Sequence, residues 1–178
     1  MNQIVQPVAS AAAMRTRTRT VTWEDPLVSA RAGATLAGID YLRAVAQGTL
    51  PPPPIALLLG FDIEEVAEGR VVFTAATGEH QYNPIGVVHG GLAATLLDSA
   101  MGCAVHSRLP KGRGYTTLEI KVNYVRAIKH DSGPLRAIGT VVHMGGKTAT
   151  AEARLLDRDG RLCAHATTTC MLFGAAAA

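Results

Sequence analysis

The chain has 178 residues, enough for one domain with a real core. Apolar residues make up 48% and charged residues only 17%, which excludes a solvated polyelectrolyte, and a net charge of +3 gives no case for nucleic-acid binding. No apolar run reaches membrane-spanning length, and Cys103, Cys163 and Cys170 have no CxxC spacing, so reduced thiols in the cytoplasm are expected rather than disulfides or a zinc site.

The start, MNQIVQPVASAAAMR, lacks the basic region of a signal peptide. With the run RTRTRT it reads, over residues 1–22, as a solvated disordered tail. From Asp25 to Gly48 the pattern is helical, with Leu36, Ile39, Leu42 and Ala46 at helical intervals. Pro51–Pro54 is expected to end that helix, since proline donates no helical hydrogen bond, and Ile55–Gly60 to add a short turn. Residues 23–60 therefore form an N-terminal helical extension, and 61–174 the main domain.

In that domain Arg70–Ala76 is the first expected strand, and Gly90–Ser107 the long helix. Four strands follow: Tyr115–Arg126, Pro134–His143, Thr148–Leu156 and Arg161–Phe173. In Tyr115–Arg126, Leu118, Ile120, Val122 and Tyr124 are expected on one face, and Thr117, Glu119, Lys121 and Asn123 on the other. Ala149, Ala151, Ala153 and Leu155 alternate likewise, and Asp157–Gly160 reads as a hairpin turn. An α+β fold, one helix wrapped by one curved antiparallel sheet, buries both elements most simply.

Several patterns carry no chemistry. Asp131-Ser132-Gly133-Pro134 sits between strands as a turn. Gly146-Lys147-Thr148 is no P-loop, because Val141 stands at the required first glycine and a strand follows. There is no Gly-x-Ser-x-Gly, no HExxH and no metal spacing among the six histidines, so neither a metal nor a cofactor is expected.

The informative stretch is NPIGVVHGGLAATLLDSAMG, Asn83 to Gly102. Gly90 and Gly91 open a helix whose first N–H groups lack helical partners, and glycine lets a ligand approach them. Such a helix start is a receptor for an oxyanion, although the glycines could equally serve tight packing. Asp98 is a carboxylate on an oily helix, which is costly unless paired or used; a bond to a nearby hydroxyl such as Thr95 is the structural alternative. Gly90 and Asp98 lie eight residues apart, ~12 Å along a helix. A base must come within about 3 Å of the atom it serves. Both can act on one carbonyl only if two copies of the helix lie antiparallel across a two-fold axis.

The run Asn83-Pro84-x-Gly86-x-x-His89-Gly90-Gly91, with Asp98 nine residues after the histidine, resembles the hotdog-fold thioesterases, in particular the phenylacetic-acid-degradation (PaaI-like) branch. LPPPPIALLLGF, EGRVVF and Gly146-Lys147-Thr148 extend the resemblance over about Leu50 to Phe173. The resemblance implies a hotdog domain, dimers that often pair into tetramers, and hydrolysis of acyl-CoA thioesters. It implies that the Gly90 N–H polarises the thioester carbonyl and that Asp98 of the second copy is general base or nucleophile. Asn83 and His89 would position the thioester and the water or leaving sulfur, with Gly91 beside them at the substrate, and Thr117 would assist the acid. Coenzyme A would lie in a tunnel between subunits. Residues 105–147 hold eight Lys/Arg against Glu119 and Asp131; of these Arg108, Lys111, Arg113 and Lys147 are the candidates for its phosphates. A hotdog hydratase or dehydratase and a non-catalytic acyl-CoA-binding protein are the alternatives.

Overall fold

The computed structural model describes residues 16–174. The first fifteen residues of the expected tail lie outside this range; residues 16–25 run without helix or strand, and Arg19 donates to the Leu57 and Leu58 carbonyls, 3.1 and 2.7 Å.

The extension is three short helices: α1 Pro26–Gly33, α2 Gly38–Ala46 and α3 Pro54–Leu59. This corrects the single helix expected over Asp25–Gly48. Asp25 caps α1 through its carboxylate, which accepts from Leu27 N–H at 2.9 Å, and the chain turns between α1 and α2. The proline run does not end a helix either. α2 has already stopped at Ala46, and Pro54 starts α3, where its missing N–H costs nothing.

Six strands follow: β1 Phe61–Ala67, β2 Arg70–Ala75, β3 Gly114–Tyr124, β4 Leu135–Met144, β5 Thr148–Leu156 and β6 Leu162–Phe173. They form one antiparallel sheet in the order β1-β2-β4-β5-β6-β3, around the long helix α4, Gly90–His106. β1 was not expected from the sequence. A bulge between Ile63 and Glu65 breaks its alternation, and Glu64 there is held by the Arg136 guanidinium at 2.6–3.1 Å.

α4 is apolar nearly all round because sheet covers it: Leu96, Leu97, Ala100, Met101, Ala104 and Val105 are wholly buried. From β5, Ala149, Ala151, Ala153 and Leu155 point into this core, as their alternation predicts. β3 is an edge strand with a bulge of its own. Thr117 pairs with Cys170 and Glu119 with Thr169, leaving Leu118 as the extra residue, exposed. The bulge corrects the expected faces. Thr117 turns inward with Tyr115, on the same side as Ile120 and Val122, while Leu118 faces out.

Candidate active site

The start of α4 is built by its own loop. Asn83 Oδ1 accepts from the N–H groups of Ile85 (3.1 Å) and Val87 (3.2 Å), which folds Asn83–Val87 into a turn and leaves the Asn83 amide NH₂ as its remaining donor. His89 is the N-cap residue, and its Nδ1 accepts from Gly91 N–H at 2.8 Å. Two consequences follow. The neutral ring carries its proton on Nε2, a donor aimed away from the helix. The Gly91 N–H is engaged by the cap. The Gly90 N–H has no partner among the described residues.

Gly90 is also where a side chain would not fit freely. A Cβ there would stand 3.2 Å from the Tyr124 ring, whose hydroxyl donates to the Gly90 carbonyl at 3.2 Å. Tyr124, Val88, Ala93, Arg126 and Ile128 wall a hollow of about 380 Å³ beside Gly90. Tyr124 was not foreseen, because it lies 34 residues away in sequence.

Asp98, two turns further on, is half-buried, and its Oδ1 accepts from the Thr117 hydroxyl at 2.9 Å. Thr95, the alternative partner, bonds back to the Gly91 carbonyl instead. One hydrogen bond orients the Asp98 carboxylate and leaves its other oxygen available. It faces a cavity of about 830 Å³. The Ser99 hydroxyl and the Cys103 thiol line the same cavity. Burial pushes the Cys103 thiol up to about 12, helped by the nearby Asp98 charge against an opposing Tyr115 hydrogen bond, so it stays protonated. Burial also raises Cys170, and it raises Tyr115 well above the ordinary tyrosine range.

The structure thus gathers the expected residues into two groups. Asn83, His89, Gly90 and Gly91 surround the helix start, and Asp98 meets Thr117; eight residues of helix, ~12 Å, separate Gly90 from Asp98. The four basic candidates do not form one patch. Arg113 lines the cavity and donates to the Gly146 carbonyl at 2.8 Å, which brings it to the turn before Lys147. Lys111 is exposed in the loop before Arg113. Arg108 turns away to Glu68, 3.8 Å, with its stem against Gly69. No group of His, Cys, Asp and Glu able to hold a metal occurs among the described residues.

A long buried helix wrapped by a six-stranded antiparallel sheet, with an uncapped N–H at its start and a carboxylate at its middle, is a hotdog fold carrying a polar site. The chain belongs to the thioesterase superfamily, whose family model matches residues 85–164. It is 33% identical over 118 residues to a putative esterase of Halobacterium salinarum, covering 64% of this chain and 76% of that protein. A hypothetical thioesterase of Streptococcus pneumoniae, solved with coenzyme A, is 31% identical with a TM-score of 0.60, covering 66% of this chain and 92% of that one. The Escherichia coli PaaI protein, 22% identical, shares the fold with a TM-score of 0.66 over 79% of this chain and 97% of its own.

Proposed function

We propose that the protein hydrolyses acyl-CoA thioesters to the free acid and coenzyme A, in an active site shared between two copies of the chain. The observation that carries this reading is the Asp98 carboxylate, oriented by Thr117 and open to the large cavity. The unpartnered Gly90 N–H supplies the complementary element, a donor for the carbonyl oxygen as it becomes an oxyanion. Because ~12 Å separates these groups in one chain, Gly90 of the second copy faces Asp98 across a two-fold axis. The β3 edge, with Leu118, Tyr124 and Val125 exposed, suits such pairing, as a dimer or as dimers joined into a tetramer. His89 Nε2–H and the Asn83 amide NH₂ are the donors left to hold the thioester and the water.

A thioester carbonyl is already activated, so a carboxylate and one N–H suffice without a serine triad, a metal or a resident cofactor. Asp98 either takes a proton from the attacking water or attacks the carbonyl itself to form a mixed anhydride that water then hydrolyses to the free acid; in both cases the carbonyl–sulfur bond breaks and the sulfur leaves as the thiol of coenzyme A with a proton that comes from the water. The coenzyme A bound to the Streptococcus pneumoniae relative supports the same ligand here. Lys111 and Lys147, which do not line the cavity that holds Arg113, are the candidates for its phosphates. The three free thiols fit a reducing cytoplasm.

Turnover of an acyl-CoA panel, followed by release of free thiol, tests the reading. Hydrolysis that disappears in Asp98→Ala supports it. Hydration of enoyl-CoA substrates without thiol release would make the protein a hydratase, and binding without any turnover would make it an acyl-CoA-binding protein.

A further inference from the structure

The cavity that opens at Asp98 continues along α4 to a cluster of rings. Asp98, Ser99, Cys103 and His106 all line it, so it runs eight residues of helix, ~12 Å, from carboxylate to imidazole. Helices α1 to α3 and β1 close its other side. At the far end the His106 ring lies between Tyr41 of α2 and Tyr115 of β3, with centroids 5.5 and 5.6 Å away. The Tyr41 ring in turn rests on Gly33 of α1. α2 is held there by Gly38, whose N–H donates to the Leu109 carbonyl at 2.9 Å.

The polar tips of these rings differ in what they do. Tyr115 is engaged with the Cys103 thiol. The Tyr41 hydroxyl and the two ring nitrogens of His106 make no hydrogen bond among the described residues, and both residues line the cavity. Burial lowers the His106 pKa, so the ring is neutral at neutral pH, with one nitrogen donating and the other accepting. Elsewhere the walls carry the apolar Leu42, Val45, Phe61, Ile63 and Phe73, with Asp62 and Arg113 as the charged residues among them. A neutral donor–acceptor pair beside these apolar walls matches a hydroxyl. A methyl terminus would leave those groups unpaired, which disfavours it.

We propose that Tyr41 and His106 are specificity-determining residues that select acyl groups carrying a terminal hydroxyl about two helical turns from the thioester carbonyl. The inference rests on the acyl-CoA reading above, which sets the carbonyl at Asp98. It assigns the acyl end of the substrate to the N-terminal helices, all of which lie outside the family match at 85–164.

The test is binding, so it does not depend on turnover. The hydrolysis-inert thioethers decyl-CoA, ω-hydroxydecyl-CoA and a terminal-carboxylate analogue are titrated by calorimetry into the full chain, Tyr41→Phe and His106→Phe. The wild type is expected to bind the hydroxy analogue about tenfold more tightly than decyl-CoA, and each variant to bring that ratio close to one. Tyr41→Phe removes a single oxygen and keeps the ring contacts, so it remains informative if His106→Phe fails to fold. A merely structural role would weaken all analogues alike. Equal affinities in the wild type, a ratio unmoved by both variants, or tightest binding of the carboxylate analogue would each overturn the proposal. Hydroxyl preference in a protein that releases no thiol from any acyl-CoA would keep this inference and refute hydrolysis; turnover without the preference would do the reverse.

Discussion

Helix α4 and the N-terminal helices face the same cavity but are anchored very differently. α4 is enclosed by the sheet, with six of its side chains wholly buried between Leu96 and Val105. The extension buries little, chiefly Leu42, Ala56 and Ser29, and leaves Trp23, Leu27, Val28, Ile55 and Leu58 exposed. Few buried contacts mean a low cost of local opening, while a fully packed helix opens only with the whole fold. The contrast teaches a division of labour: the proposed acid sits on the tightly packed part, and the wall proposed to meet the acyl group sits on the loosely anchored one.

The division can be broken most severely at the acid. Asp98→Ala is expected to lower kcat by about 10²–10⁴-fold for every acyl-CoA, long or short, with an unchanged thermal melt. Near-wild-type kcat in this variant would remove Asp98 from the chemistry. Next in size is Gly38→Leu. A Cβ at Gly38 would lie 1.8 Å from the backbone carbonyl oxygen of His106, so α2 must leave its seat on α4. The loss in kcat/KM should be about 10–100-fold for decanoyl-CoA, as several buried CH₂ groups lose their wall, with acetyl-CoA turnover kept within a few-fold. A proportional fall for both substrates would show that the two regions cannot be separated.

Thr117→Ala sharpens the comparison within the core. Losing its hydrogen bond to the carboxylate should cost about tenfold in kcat, and Thr117→Ser should recover most of it. The smallest effect is on stability. Burial holds the folded His106 pKa below its ordinary 6.5, so the unfolded chain binds more protons as acid is added. This contribution is complete above about pH 6.5 and is lost as the pH falls below it. The melting temperature should drop by a few degrees between neutral and mildly acidic buffer, and His106→Gln should flatten that portion of the curve.

Much of the domain was legible in the residues. α4, β4, β5 and β6 were found within a residue or two, because their periods are clean and glycine or turn residues bound them. Gly90 and Asp98 stood out through glycines at a helix start and a charge in an apolar run, while Asn83 and His89 entered through the family resemblance. What escaped lay in departures from period and in long-range pairing. The β1 bulge put two glutamates side by side and hid a strand. The break between α1 and α2 has no proline to mark it. Tyr124 against Gly90, and Tyr41 against His106, are neighbours only because strands and helices far apart in sequence meet. His89 was singled out, but its bond to Gly91 was not, since a cap depends on χ angles that spacing does not determine.

The bulge at Leu118 makes β3 two strands of opposite parity joined end to end. Ahead of it the odd positions Tyr115 and Thr117 look toward α4; behind it the even positions Ile120 and Val122 do. A regular strand of the same length could satisfy only one of these sets. It could seal the sheet with Ile120 and Val122 and turn the Thr117 hydroxyl to solvent, or keep the hydroxyl on Asp98 and drive Glu119 into the apolar interior. β3 therefore constrains length rather than composition. Many side chains can stand at the exposed Leu118, but the number of residues between Thr117 and Ile120 decides whether the acid has its partner and the core its lid at the same time.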